Sequence, residues 1–249
     1  MSASWWDEGG FWYGLHTLFD PVRVPFFRTV LESHHSRDSR PRVLDVGSGG
    51  GFVATGVADI ADVVVIDLSF DPLRDAKATG LSMIVAADAS ELPFRDDSYE
   101  SVICSEVLEH VADPVAVVAE AARVVKPQGL FLFSTPTRTF WSRLLLINVA
   151  QRWRLTRVLP SDLHDWNEFL TTSELTVLLS NAGFSTQKIC GIGIKALRLP
   201  SAAVALVMLK TRLIGYGEAG RRIELAITES STLVMIGYAV LSGLPIAKP

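Results

Sequence analysis

Cysteine is nearly missing from this chain of 249 residues: only Cys104 and Cys190 occur, with no CxxC pair and no zinc-finger spacing. Neither a disulfide scaffold nor structural zinc is implied, and a reducing cytoplasmic setting is expected. Long apolar runs are missing too. Although 49% of the residues are hydrophobic and the mean hydropathy is +0.30, no uninterrupted run reaches the roughly 18 residues that a spanning helix needs. The stretch "MSASWWDEGGFWYG" carries acids and tryptophans where an export signal would carry a basic and then an apolar region. Excess positive charge is absent as well. A net charge of -4 gives no global pull toward nucleic acid, so none is expected as a partner.

What is present is a rhythm. From Arg42 onward, "RVLDVG", "DVVVIDL", "SMIVAAD", "YESVICS" and "GLFLFST" alternate with polar or helically periodic segments. Near-continuous apolar runs of this kind suit central strands covered on both faces, so an α/β fold with a mostly parallel sheet and helices on both sides is expected. In "DPVAVVAEAARVVKPQG", Asp113 is the expected N-cap, with Pro114 at the first helical position. "TTSELTVLLSNAGF" repeats the scheme, capped by Ser173 or a neighbouring threonine and stopped at Gly183. The expected organisation is one domain over 1–249: a helical N-terminal cap (1–40), a core (41–136), and insertions at 137–170 and 200–230. Insertions after strands of such sheets build lids and pockets, because ligands bind at the strands' carboxyl ends.

The strand "VLDV" runs into "GSGGGF", so that Asp45, Gly47, Gly49 and Gly51 alternate through a strand-to-helix turn. A dinucleotide fingerprint counted from Gly47 would need its third glycine at position 52, which is Phe52. No Gly-Lys-Ser/Thr ending follows, which excludes a P-loop. Asp67 ends the next strand, 20 residues after Gly47 (67 − 47), where a carboxylate accepts ribose hydroxyls. Asp88, with the adjoining Ala89, ends the third strand at a position suited to an adenine. A loop without phosphate-binding logic, followed by ribose and adenine acceptors, points to S-adenosylmethionine.

"SEVLEHV" places Glu106, Glu109 and His110 within five positions, and a helical segment would bring them into an arc of roughly 100°. Three roles stay open: His110 as a general base, all three as ligands of Mg²⁺ or another divalent cation, or acids that only complement a helix N-terminus.

"LDVGSGGG", "VVVIDLS", "AADASELPF", "CSEVLEHV" and "VVKPQGLFLFST" together resemble class I S-adenosylmethionine-dependent methyltransferases. "WWDEGGFWYGLHTLFDPVRVPFF" and "LPSDLHDWNEFLTTSEL" look like flanking segments of the ubiquinone-biosynthesis O-methyltransferases. The resemblance implies a Rossmann-like, seven-stranded, mostly parallel sheet whose last strand is antiparallel. It implies Arg23, Gly47, Asp67 and Ser105 as cofactor contacts, Glu106, Glu109 and His110 as a metal-binding set, and a site role for His164 in the His-Asp segment.

In "FWSRLLLINVAQRWRLTRVL", Arg143, Arg154 and Arg157 would fall in an arc of roughly 60° on a helical wheel, beside an aromatic-rich apolar face. That pattern suits either the inner membrane surface or a lid over the site. The expected activity is methyl transfer to a phenol- or catechol-like hydroxyl of a hydrophobic small molecule, such as a quinone precursor. Carbon or nitrogen methylation and non-catalytic cofactor binding are the alternatives.

Overall fold

The computed structural model describes residues 4–36, 39–161, 163–194 and 198–242. In chain order, α1 (Phe11–His34) precedes β1 (Arg42–Val46), α2 (Phe52–Val57), β2 (Asp62–Asp67), α3 (Phe70–Ala78) and β3 (Met83–Ala86). Then come β4 (Tyr99–Ser105), α4 (Pro114–Val124) and β5 (Val125–Pro136). The first insertion opens with α5 (Phe140–Ser142), which continues as a π-helix over Arg143–Arg152. It closes where Thr137 bridges Leu170, just before α6 (Thr172–Asn181) and β6 (Phe184–Ile194). The second insertion supplies α7 (Leu199–Lys210), α8 (Tyr216–Arg222) and β7 (Leu225–Thr228), and β8 (Val234–Leu241) follows.

The strands lie in the order β3-β2-β1-β4-β5-β8-β6-β7. Strands β1 to β5 pair in parallel, while β8 runs antiparallel between β5 and β6. Those seven strands have the expected arrangement. The sheet differs in having an eighth: "LAIT" of the second insertion forms β7 and pairs antiparallel with Gly191 to Ile194. Its addition covers backbone groups that the edge of β6 would otherwise leave unpaired.

Alternate residues of each central strand feed opposite cores, as strand pleating requires. Leu44, Val102, Phe131 and Phe133 face one core with Val117 and Leu175. Val43, Ile103, Leu130 and Leu132 face the other with Phe27 and Leu31 of α1. Asp113 caps α4 through the amides of Val115 and Ala116 (2.9 and 3.0 Å). Thr171, the first of the two threonines before Ser173, caps α6 in a reciprocal box with Glu174.

Phe131 is fully buried, with its ring 5.3 Å from that of Phe184. Phe131→Ala should lower unfolding free energy by about 3–5 kcal/mol, the usual range for a buried phenylalanine. Urea melts check this, and a loss well below that range would mean that the core collapses around the gap.

Candidate active site

Strand order reverses between β1 and β4, so their carboxyl ends open the crevice where ligands of α/β sheets bind. After β1 the chain turns through Gly47 (φ 64°) and Gly49 (φ 54°), a region that side chains rarely adopt. Space demands glycine as well. A Cβ on Gly47 would lie 2.5 Å from Val107 Cγ2, and one on Gly49 would lie 2.3 Å from the Trp5 ring. The glycine turn is thus packed against the turn that follows β4 on one side and an aromatic cover on the other. Trp6 Nε1 donates to Gly50 O (2.9 Å), and Trp5 stacks on Trp12 at 4.3 Å.

Asp67 ends β2 as expected. Its Oδ2 accepts from Gly49 N and its Oδ1 from Ser69 N, both at 2.9 Å, so the carboxylate is held in place by backbone. Each oxygen retains a further acceptor position for a ribose hydroxyl. Asp88 lies two residues beyond the end of β3, not on it. Its Oδ1 accepts from Ser90 N and Oγ (2.8 and 2.7 Å), bonds that keep its pKa below the ordinary value. Ala89 beside it is half-buried.

Arg23 is buried on α1. Its Nε donates to Asp20 Oδ1 (2.8 Å), and a terminal nitrogen lies 3.8 Å from Glu106 Oε1. Burial works against this cation, but Asp20 and then Glu106 outweigh it and raise its pKa. His16 Nδ1 meets Asp20 Oδ2 at 2.6 Å. His16 and Asp20 escaped the sequence reading, although their spacing of four and three residues on one helix is a legible signal. Asp45 is buried nearby, with Oδ2 unpartnered among the described residues. Burial pushes its pKa up to about 7 against the pull of Arg23.

Residues 106–110 are not helical, which corrects the expectation of a shared helix face. Glu106 takes a left-handed conformation (φ 57°) where β4 ends, and α4 starts only at Pro114. The acids therefore do not sit at a helix N-terminus. Glu106 N donates to Ser134 O (2.8 Å), and Ser134 Oγ donates to Glu106 Oε1 (2.8 Å) while meeting Ser105 Oγ (2.9 Å). An αL glutamate at the carboxyl edge is the kind of local strain that accumulates at functional sites.

Glu109 is buried. Thr135 Oγ1 donates to its Oε2 (3.0 Å), and Oε1 has no partner among the described residues. Burial, then the charge of Glu106, raises its pKa well above the carboxylate range. The His110 ring stacks on that of His164, centroids 5.3 Å apart. Burial lowers the pKa of both, and that of His164 falls to about 4 with His110 contributing. His164 is anchored from the first insertion: Gln151 donates to His164 O (2.8 Å) and accepts from His164 N (3.2 Å). Glu109, His110 and His164 each offer a ligand atom within 4.8 Å of the others, and two of those side chains carry orphaned buried atoms. A divalent cation fits this donor set. Gln151 and Thr135 gave no signal in the sequence.

The arc of arginines is not formed. Helical structure stops at Arg152, so Arg154 lies in a turn and Arg157 just beyond it, while Arg143 stands over the Trp166 ring at 4.9 Å. A hydroxyl-lined hollow of about 560 Å³ between Arg138, Trp141, Ser173 and Thr232 contains none of the clustered residues. No helix among the described residues is long and apolar enough to cross a membrane.

Residues 44–133 match the family described as methyltransferase domain. The chain is 34% identical over 199 residues to the ubiquinone biosynthesis O-methyltransferase of Aliivibrio fischeri, covering 77% of this chain and 82% of that relative. Among solved structures it is similar to a methyltransferase of Thermotoga maritima named as a possible histamine N-methyltransferase (TM-score 0.64, 17% identity, 93% of each chain covered). A [4+2]-cyclase shares the shape too (TM-score 0.56, 19% identity, 87% of this chain and 81% of that one), so the fold alone leaves the reaction open.

Asp45 supplies a pH test. Its folded pKa, about 7, exceeds the ordinary value of 3.8, so the folded state binds more protons in between. Its contribution is fully present below pH 3.8 and is lost as pH rises through 7, by up to about 1.4 kcal/mol per unit. Asp45→Asn should flatten the fall of urea midpoints across this window and be more stable than wild type above it. Parallel curves for the two proteins would refute the assignment.

Proposed function

Because the chain belongs to the class I S-adenosylmethionine-dependent methyltransferase family that includes the ubiquinone biosynthesis O-methyltransferases, we propose that it methylates a phenol- or catechol-like hydroxyl of a hydrophobic small molecule, a quinone precursor being the class its relatives' name suggests. One observation carries this reading: Val107 packs on Gly47, which sets the Glu106, Glu109 and His110 turn directly beside the cofactor turn.

When bound, S-adenosylmethionine supplies a methyl group on a sulfonium, an electrophile that needs no further activation. The remaining work falls to the chain. The glycine turn would hold the cofactor beneath the cover of Trp5 and Trp6, Asp67 would accept from its ribose, and Arg23 would meet its carboxylate. Asp88 and Ala89 border the adenine, and Ser105 closes the edge at β4. The acceptor hydroxyl would give up its proton at the acid and imidazole cluster of Glu106, Glu109 and His110. Burial and then the charge of Glu106 raise the Glu109 pKa, which favours the protonated carboxyl, a form that cannot accept the proton. A divalent cation on Glu109 and His110 would acidify one of two vicinal hydroxyls, and the turn's orphaned Glu109 oxygen supports that role.

The insertions are proposed to meet a membrane surface from which a lipophilic acceptor is drawn. Phe140, Trp141, Trp153 and Leu155 are exposed in the first insertion, as are Val204 and Val207 of α7 in the second. Lys210 Nζ ties the two together by donating to the carbonyls of Arg154 (3.0 Å) and Arg157 (2.9 Å).

Labelled S-adenosylmethionine, incubated with catechols, quinols and lipid phenols, should yield an O-methylated product identified by mass spectrometry; label only on carbon or nitrogen would overturn the reading. Asp67→Ala should weaken S-adenosylhomocysteine binding by calorimetry, since a lost bond to a charged group is worth about 1.5–3 kcal/mol. An unchanged dissociation constant would remove Asp67 from the site. Anionic liposomes should float the protein, less so in high salt and less so after Trp141→Ala with Leu155→Ala. Equal flotation of that variant would leave the lid reading.

A further inference from the structure

We infer that Glu109, His110 and His164 form a site for a Zn²⁺-type transition-metal ion, and that the ion staples the turn after β4 to the first insertion. The inference rests on the reading that a cation sits at this turn, but it changes both the donor set and the metal.

Glu106 is the weaker donor. Its Oε1 accepts from Ser134 Oγ at 2.8 Å and lies 3.8 Å from the Arg23 guanidinium, a charge that repels a cation. Glu109 and His164 face the opposite situation. Glu109 Oε1 and His164 Nδ1 are both buried with no hydrogen-bond partner among the described residues. Leaving such atoms buried without a partner is unfavourable, and one shared cation would satisfy both. The three ligand atoms lie within 4.8 Å of one another. Tetrahedral coordination at about 2.0–2.1 Å needs them about 3.3 Å apart, so binding the ion would require these side chains to rotate toward one another.

Two imidazoles and one carboxylate do not make a magnesium site. Mg²⁺ asks for a near-octahedral shell of oxygens, whereas nitrogen donors with a single carboxylate suit Zn²⁺, Co²⁺ or Fe²⁺. Three protein ligands also leave a coordination position for an acceptor oxygen. The supporting shell is present: Thr135 Oγ1 holds the other oxygen of Glu109 at 3.0 Å, and Gln151 grips the backbone of His164. Glu109 and His110 belong to the β4 turn and His164 to the first insertion, so the bound ion ties that insertion to the sheet edge.

The test is equilibrium dialysis of metal-stripped full-length protein against Zn²⁺ and Mg²⁺, with bound metal measured by mass spectrometry, for wild type, Glu106→Gln, His164→Ala and His164→Gln. Wild type should hold one Zn²⁺ per chain that millimolar Mg²⁺ does not displace. Both His164 variants should lose about 100-fold in affinity, since even outer-shell partners are worth about 10- to 100-fold, while Glu106→Gln should bind as wild type. Zn²⁺ should protect the first insertion from limited proteolysis, and only in proteins that retain His164. Wild-type Zn²⁺ affinity in both His164 variants, loss of binding in Glu106→Gln alone, displacement by Mg²⁺, or no saturable binding would overturn the site. S-adenosylhomocysteine calorimetry on the same samples confirms that the variants are folded. Zn²⁺ binding as expected without O-methylation of any phenol would overturn the proposed function and leave the site standing; O-methylation by protein that binds no Zn²⁺ would do the reverse.

Discussion

The carboxyl edge of the sheet depends on Gly47 having no side chain. Two turns emerge there from neighbouring parallel strands, and Val107 of the second sits where a Cβ on Gly47 would be. Close approach of the turns brings the glycine turn and an acid and imidazole cluster to one place. The left-handed Glu106 serves the same end, because it turns the chain back as β4 ends and lets the Glu106 amide bond to Ser134 of β5. Backbone strain at Glu106 accompanies the turn that carries the Glu106, Glu109 and His110 side chains at the crevice.

That convergence creates an electrostatic problem. Asp20, Asp45 and Glu106 surround the buried Arg23, and Glu109 lies against Glu106. One guanidinium cannot compensate so many carboxylates in a medium that screens poorly. The protein relieves the excess in two visible ways: Asp20 and Glu106 pair with the cation, while burial raises the pKa of Asp45 and Glu109 and so favours their uncharged forms. A bound divalent cation would be a third, acting on Glu109, which like Asp45 has an oxygen without a partner among the described residues. Charge balance and orphaned atoms are independent observations, and both favour a cation at Glu109.

Strands β1 to β5, the glycine turn, Asp67 at a strand end and the Asp113 cap were legible in the sequence because each is set by local chemistry: apolar runs, conformational freedom or a side chain's reach to its own backbone. What escaped reading is set by tertiary partners. "EVLEHV" has good helix formers, yet the pairing of Glu106 with Ser134 on the next strand decides that it turns instead. "FWSRLLLINVAQRWRLTRVL" reads as one continuous helix, but a π-helix ends at Arg152, and with it the arc of arginines. β7 exists because β6 presents an edge, which no local pattern announces. His164 and His110 stand 54 residues apart (164 − 110), and the grip of Gln151 that brings one toward the other is a three-dimensional fact.

Long-range partners also join the first insertion to α1. Thr137 and Leu170 close the first insertion at its base, so its interior must be held by something else. The second insertion does this. Lys210 bonds carbonyls of Arg154 and Arg157, and Tyr216 donates to Val158 O at 2.8 Å. α8, which begins at Tyr216, then packs on α1: Tyr216 fills the space beside Gly14, and Thr17 Oγ1 donates to Gly217 O at 3.1 Å. α1 is also the helix that carries His16, Asp20 and Arg23 to the crevice. The insertion that bears His164 and the helix that bears Arg23 are therefore braced against one another through α8, outside the sheet. Because packed interiors resist gradual deformation, an acceptor that shifts the first insertion must either leave this brace intact or break named bonds in it.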